Sequence, residues 1–214
     1  MNSFDLRGNR ASSNFDERHI LTVSYIYNIP SFHETGVTKA ILGGWQYSGI
    51  TSFNTGTPFS VTNGIFGDNA GVANGVGTNG SYTDLIGNPN AAPPAASLVV
   101  GSGPLLFNPA AYAQPQGLTF GTSGRNSLNN PSRLNFDMAL FKNFPIHEAI
   151  SLQFRAEGFN IFNHTQWTGV NAQAACYGGA NNSAGDPSCL GNGFLQPSGA
   201  HLGRIFQFGL KLMF

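Results

Sequence analysis

The chain has very few charged side chains. They make up 9% of its 214 residues, and ten basic residues cancel ten acidic ones at pH 7. Soluble domains carry about 25% charged residues, so this composition is unusual for a surface that faces water. Lysine and arginine form no cluster, and clustered basic residues supply most of the affinity for nucleic acid. The composition therefore predicts that no nucleic acid is bound.

Long apolar runs are also missing. The most apolar stretches, such as 210–214, are interrupted by polar residues at every second or third position, whereas a spanning helix needs about 18 consecutive apolar residues. A helical membrane protein is therefore excluded. Residues 1–20 carry six charged side chains and no apolar core, so we expect no secretory signal peptide there. Met1 is then either a genuine start or the start of a truncated chain.

Cysteine is scarce, and no pattern of catalytic or metal-binding residues is present. Cys176 and Cys189 are too few for a disulfide scaffold or a thiolate metal site. They form either one loop disulfide, worth about 3 kcal/mol, or two unpaired thiols. The glycines of 75–80 have the spacing of a phosphate-binding loop without its flanking strand and helix. With no zinc-type histidine spacing and no nucleophile motif, we predict no enzyme, no metal and no cofactor.

Glycine and proline are abundant by contrast, and the segments between them alternate between apolar and polar residues. The 28 glycines and 12 prolines are typical of turns, and the 18 phenylalanines argue against disorder. Alternation predicts strands. The five predicted strands are His19–Asn28, Trp45–Asn54, Leu134–Phe144, a strand beginning at Ile150, and Arg204–Phe214. Each has about ten residues, the length that a tilted strand needs to cross a bilayer.

The connections between the predicted strands are unequal in length. Residues 29–44 form a moderate connection, 55–133 a very long one, 145–149 a tight turn and 164–203 a long one. The long connections are rich in glycine and asparagine and fall at one end of an antiparallel meander. Outer-membrane barrels have short periplasmic turns and long outer loops. The pattern therefore predicts an all-β fold that is part of an antiparallel, up-and-down transmembrane β-barrel with long extracellular loops.

One group of charged residues falls on the predicted strands. If the turn at 145–149 pairs Phe144 with Ile150, then Asp137 lies opposite Glu157 and diagonal to Arg155. Two carboxylates would then share one guanidinium on the polar face. A catalytic pair of carboxylates would need a dry cleft and shifted pKa values, so we predict a structural charge network that lines the lumen.

Several short motifs, in a fixed order, resemble a known family. They are Gly43–Ile50 (GGWQYSGI), Thr55–Phe59 (TGTPF), Gly124–Asn126 (GRN), Asn135–Asp137 (NFD), Phe141–Phe144 (FKNF) and Phe154–His164 (FRAEGFNIFNH). From about Asn14 to its end, the chain resembles the last part of TonB-dependent outer-membrane receptors, the Oar-like ones in particular. The resemblance implies a location in the bacterial cell outer membrane.

The resemblance also implies what the chain does and what surrounds it. In that family a barrel of about 22 strands encloses an N-terminal plug and takes up bulky solutes. Residues 1–214 would then be a C-terminal fragment of the barrel without the plug, since about five strands cannot close a barrel. Its implied partners are outer-membrane lipid and the absent remainder of the barrel and plug.

The last strand carries a further expectation. Its apolar stripe ends on an aromatic residue at the carboxyl terminus, and it consists of Phe206, Phe208, Leu210, Leu212 and Phe214. This stripe resembles the C-terminal signal that outer-membrane proteins present to the barrel-assembly machinery. A buried strand of a soluble protein would explain the stripe but not its position at the last residue.

Strand direction predicts where the aromatic residues lie. If the C-terminus is periplasmic, six rings fall near the periplasmic boundary and form part of an aromatic girdle. They are Tyr25, Tyr27, Trp45, Tyr47, Phe144 and Phe214. The alternative is a secreted all-β binding or adhesion module, which would fold in water and bury the same stripes between two sheets.

Overall fold

The computed structural model describes residues 5–30, 36–63, 82–92, 103–113, 115, 119–147, 150–174 and 193–214. These residues form strands, one short α-helix and a 3₁₀ turn at Pro109–Ala111. The helix is α1 (Gly36–Leu42), and the strands are β1 (Ile20–Asn28), β2 (Trp45–Asn54), β3 (Pro58–Phe59), β4 (Thr62–Asn63), β5 (Asp84–Leu85), β6 (Tyr112–Ala113), β7 (Leu128–Asn129), β8 (Arg133–His147), β9 (Ile150–Phe159), β10 (Trp167–Val170), β11 (Gln173–Ala174), β12 (Pro197–Ala200) and β13 (Ile205–Met213).

The chain divides into two compact units. The sheet unit comprises His19–Asn54, Ser132–Gln166 and His201–Phe214, and the loop unit comprises the described residues of Met1–Arg18, Thr55–Pro131 and Trp167–Ala200. The five long strands all belong to the sheet unit. The loop unit is built from the long connections between them.

The sheet unit is a five-stranded antiparallel meander with the strand order β1-β2-β8-β9-β13. All five predicted strands are present, and four of them have bounds within one residue of those predicted at the ends that were specified. β8 differs, because it continues to His147 instead of ending at Phe144. Among the described residues, β1 and β13 each pair with a long strand on one side only, and the sheet does not close.

The register separates apolar from polar side chains. Paired residues on neighbouring antiparallel strands point to the same side of the sheet, and successive residues point to opposite sides. We call one side the apolar face; its members are Leu21, Val23, Tyr25 and Tyr27 of β1, Trp45, Tyr47, Gly49, Thr51 and Phe53 of β2, Leu134, Phe136, Met138, Leu140, Lys142 and Phe144 of β8, Leu152, Phe154, Ala156 and Gly158 of β9, and Phe206, Phe208, Leu210 and Leu212 of β13. The other side, the polar face, carries mainly serine, threonine, asparagine, glutamine and charged residues.

The apolar face is exposed rather than covered. Phe208 is 70% exposed and Leu210 is 71% exposed, although both belong to the cleanest apolar stripe of the sequence. A two-sheet sandwich would bury these side chains in its core. The described residues therefore provide no second layer over this stripe, and the exposure argues against the soluble-module alternative.

The loop unit contains the buried apolar core. It has four two-stranded sheets, of which β3–β7, β5–β6 and β10–β12 are antiparallel and β4–β11 is parallel. Its buried apolar residues are Val61, Ala111, Tyr112, Leu128, Ala174, Phe194 and Leu195. The sequence predicted loops here. The strands have only two to four residues, too short for alternation to reveal them.

Candidate functional site

The polar face carries a shallow cavity over the middle of the sheet. Its volume is about 360 Å³, and its lining includes Ile26, Ile50, Phe141, Asp137 and Glu157. These residues come from β1, β2, β8 and β9, so four neighbouring strands build the cavity. The lining is mainly apolar and includes the carboxylates of Asp137 and Glu157. The cavity lies on the face that would border the lumen of a barrel.

The predicted pairing of Phe144 with Ile150 is wrong. Phe144 pairs with Leu152, which shifts β9 by two residues along β8. The shift arises because β8 continues through Pro145, with an irregularity between Pro145 and His147. Proline lacks a backbone donor and is tolerated where strand pairing is irregular, so here it lies close to the end of the strand instead of terminating it earlier.

In the observed register, Glu157 lies opposite Ala139 instead of Asp137, whereas Arg155 and Glu157 share one side of β9 in either register. Arg155 and Glu157 are brought together, with Nη2 and Oε1 2.7 Å apart, and the guanidinium lies 5.0 Å from the centre of the Phe141 ring. Asp137 is placed elsewhere. Its Oδ1 accepts a hydrogen bond from the backbone N–H of Asn160 at 2.9 Å, and it forms no ion pair with a described residue. Exposed ion pairs contribute little to stability.

Asp137 and its neighbours hold the end of the sheet where the long connections begin. Asn160 has a positive φ of 48°, a conformation that asparagine tolerates better than most residues. Its Nδ2 donates to the carbonyl oxygens of His164 and Leu202. The NFD and FNIFNH motifs therefore meet at this turn, and their role here is to end β9 and to fix the start of the next connection.

Gln166 is buried at the same end of the sheet, and the sequence analysis did not single it out. Its Nε2 donates to Oδ1 of Asn135 at 2.9 Å, and its Oε1 accepts from Nε of Arg133 at 2.9 Å. Both partners lie on the polar face of β8. The glutamine lies in an irregular segment, where no periodicity singles out a residue. Its contacts could be found only from the structure.

Lys142 is the only charged residue on the apolar face. The side chain is almost fully buried, and its Nζ donates to the carbonyl oxygens of Ile41 at 2.8 Å and Gly43 at 2.5 Å. The ammonium also lies about 5 Å from the ring centres of Trp45 and Phe144. Lys142 interrupts the apolar stripe of β8, and the carbonyl groups of Ile41 and Gly43 accept hydrogen bonds from its ammonium group.

The predicted aromatic group is assembled toward one end of the sheet. By register, Tyr25, Tyr27, Trp45, Tyr47 and Phe144 lie in the half nearer the short connections 29–44 and 148–149, and Phe214 follows β13 at the same end. Tyr25 and Tyr47 are in contact, with ring centroids 5.6 Å apart. The rings are therefore grouped as predicted rather than scattered between both ends.

The remaining predicted residues are those of the C-terminal stripe and the two cysteines. Phe206, Phe208, Leu210 and Leu212 share the apolar face, and Phe214 is 95% exposed. Cys176 and Cys189 lie outside the described residues, so the disulfide stays a prediction. The described part of the chain has no group of three metal-ligating side chains. Within that part, no helix combines the length and apolar character needed to cross a membrane.

Burial shifts the titration of two tyrosines in the loop unit. It raises the pKa of Tyr112 from its ordinary value of 10.0 to about 12. Burial also raises the pKa of Tyr82, against the opposing charge of Arg125. Because the neutral phenol is the favoured form in these sites, folding of the loop unit disfavours ionisation of both side chains.

Alkaline conditions are therefore expected to destabilise the loop unit. The stabilisation from neutral Tyr112 is complete below pH 10 and is lost as the pH rises to about 12, a loss of about 2 kcal/mol. Ultraviolet titration at the phenolate band measures the pKa of Tyr112 in the folded protein. The difference between the native protein and its Tyr112→Phe variant should titrate near pH 12. A difference that titrates near pH 10 would contradict the prediction.

A protein-family model matches nearly the whole chain. The model of the outer membrane beta barrel domain matches residues 1–207. No curated protein and no solved structure matches the chain. The match covers nearly the whole sequence and agrees with an antiparallel sheet that exposes one apolar face. The chain therefore belongs to the outer membrane β-barrel domain family, which points to a location in the outer membrane of bacteria.

Proposed function

We propose that the chain is the C-terminal part of the barrel of a TonB-dependent, Oar-like receptor, which takes up a large solute when complete. The observation that carries this proposal is the division of the sheet into an apolar and a polar face. Apolar side chains predominate in the rows of paired residues on one face, and polar side chains predominate in the rows on the other, with Lys142 as the charged exception on the apolar face. A wall between lipid and a wet lumen requires that division.

The polar face supports a role in passage rather than catalysis. Its charged residues are held by simple contacts, with Arg155 bound to Glu157 and Asp137 bound to a backbone amide. The face thus presents hydrophilic side chains along the inside of the wall. Selection of the solute would fall to the outer connections and to the plug, which lies outside residues 1–214.

The strand ends support the proposed orientation. The two shorter connections, 29–44 and 148–149, leave the end of the sheet that carries Trp45, Tyr47 and Phe144, whereas the two long ones leave the opposite end. Short turns are periplasmic in outer-membrane barrels, and aromatic residues collect at the membrane boundary. In this orientation the C-terminal stripe ending at Phe214 is presented from the periplasmic side to the barrel-assembly machinery.

Cysteine labelling in whole cells tests the proposal. The adjacent residues Tyr47 and Ser48 point to opposite faces of β2. In the complete receptor without Cys176 and Cys189, a membrane-impermeant maleimide should label S48C and leave Y47C unreacted, because Y47C faces lipid. Equal labelling of the two variants would contradict the barrel wall.

An uncoupler tests the dependence on energy. A plug that is moved by the energised inner membrane should make labelling of S48C slower when a protonophore is added. An open passive channel would give the same rate with and without the protonophore. That outcome would retain the barrel but overturn the TonB-dependent receptor.

A further inference from the structure

The C-terminal end of helix α1 contacts the apolar face at the end of the sheet with the shorter connections. Its last turn and the residue after it provide the two carbonyl oxygens that accept hydrogen bonds from Nζ of Lys142. The carbonyl of Ile41 accepts a second hydrogen bond, from Nε1 of Trp45 at 3.0 Å. Lys142 and Trp45 are paired residues of the apolar face. The helix is therefore fixed to the face that the proposed function turns toward lipid.

The outer surface of α1 is apolar and uncovered. Val37 is 74% exposed and Ile41 is 57% exposed, and these residues are four apart and so lie on one side of the helix. Leu42 is exposed as well. The helix contains Lys39 and no acidic residue. An apolar surface with a basic residue is the composition of helices that lie in the interface of anionic membranes.

The depth of α1 is indicated by its neighbours. Tyr27, Trp45 and Tyr47 are on the same face and at the same end, and tryptophan and tyrosine collect at the level of lipid headgroups. An ammonium in the hydrocarbon centre would cost about 3 kcal/mol. Lys142 avoids much of that cost, since it lies toward the end of the sheet and donates to two carbonyls.

We propose that α1 lies in the headgroup layer of the phospholipid leaflet, fixed there by Lys142 and Trp45. The proposal rests on the proposed function, because it requires that the apolar face meets lipid. The occupant of its exposed side follows from continuity: what covers the apolar face also covers Val37 and Ile41. Lys142 is then a positioning residue that ties a helix at the membrane boundary to the barrel wall.

Spin labels measure the depth of α1 directly. The complete protein, without Cys176 and Cys189, is reconstituted in bilayers of phosphatidylethanolamine and phosphatidylglycerol with a nitroxide at V37C. Collisions with oxygen, which is concentrated in lipid, are compared with collisions with a water-soluble nickel complex. The reference sites are L210C on the apolar face and I26C on the polar face, both strongly exposed in the structure.

The expected result is a label at V37C that collides with the nickel complex several-fold less often than the label at I26C. A V37C label in water, with L210C in lipid, would overturn this inference and leave the proposed function intact. If L210C is also in water, the proposed function fails as well. The two failures are therefore distinguishable in one set of samples.

A second set of variants tests the part played by Lys142. Lys142→Met keeps the apolar stem and removes the donors, so it should increase the mobility of the V37C label and leave that of L210C unchanged. Lys142→Arg keeps donors and should restore much of the order. If Lys142→Met does not assemble, Trp45→Phe removes the second donor to Ile41 and should loosen α1 to a smaller extent. Unchanged mobility of V37C in the assembled variant would overturn the role of Lys142.

Discussion

Phe208→Arg is expected to destabilise the folded protein in a bilayer by about 3 kcal/mol or more. Phe208 is near the middle of β13, and its side chain is on the apolar face beside Phe206. A charge on the lipid face near the midplane of a barrel costs about 2–4 kcal/mol, and the lost ring adds to that. Equilibrium unfolding in urea from phospholipid vesicles measures the effect.

The neighbouring residue provides the matched control. Gln207 is on the polar face and pairs with Glu157, so Gln207→Arg places the same charge opposite a carboxylate and should change the stability by less than about 1 kcal/mol. Phe208→Ala separates the lost ring from the added charge. Similar losses for Phe208→Arg and Gln207→Arg would show that the apolar face does not meet lipid.

Gly121→Ala is the second substitution with a large expected effect, and it acts in the loop unit. A Cβ at Gly121 would overlap the backbone carbonyl oxygen of Tyr82 and would lie 2.6 Å from that of Thr83. Backbone atoms cannot move aside as the tip of a side chain can, so two segments of the loop unit must separate. Overpacking of this kind costs about 3 kcal/mol, and more where the backbone must shift.

Gly124 is the control for this substitution. It has a φ of +76°, and nothing lies within 4 Å of a Cβ built there, so Gly124→Ala carries conformational strain alone, about 1 kcal/mol. Protease protection of the loop unit in intact cells compares the two variants. Gly121→Ala should be cleaved far faster than Gly124→Ala. Equal protection would contradict the close approach of the Tyr82 backbone.

The long strands could be predicted from the sequence because each has one mainly apolar and one mainly polar side. The period of two is visible within β13, where Phe206, Phe208, Leu210 and Leu212 alternate with Gln207, Gly209 and Lys211. The register between β8 and β9 could not be predicted. It depends on how the chain passes through Pro145, and a turn of two residues or of five is equally compatible with the alternation.

The elements missed by the sequence are those held by tertiary contacts. Helix α1 has seven residues, too few for a helical period to stand out. A carbonyl group in its last turn accepts a hydrogen bond from Lys142, about 100 positions away in the chain. The signal that could have found it was the unexplained lysine on an apolar stripe, together with the glycine pair 43–44. The predicted charge network was correct for one contact, between Arg155 and Glu157. Asp137 instead accepts a hydrogen bond from the backbone of Asn160.

The edge strands β1 and β13 affect how the protein would insert into the outer membrane. Hydrocarbon offers no group that can satisfy a backbone amide or carbonyl. In the described part of the chain, β1 and β13 each lack a neighbour along one side. If the apolar face meets lipid, as proposed, both edges must be paired by the time the sheet enters the bilayer. Insertion and edge pairing would then be coupled steps.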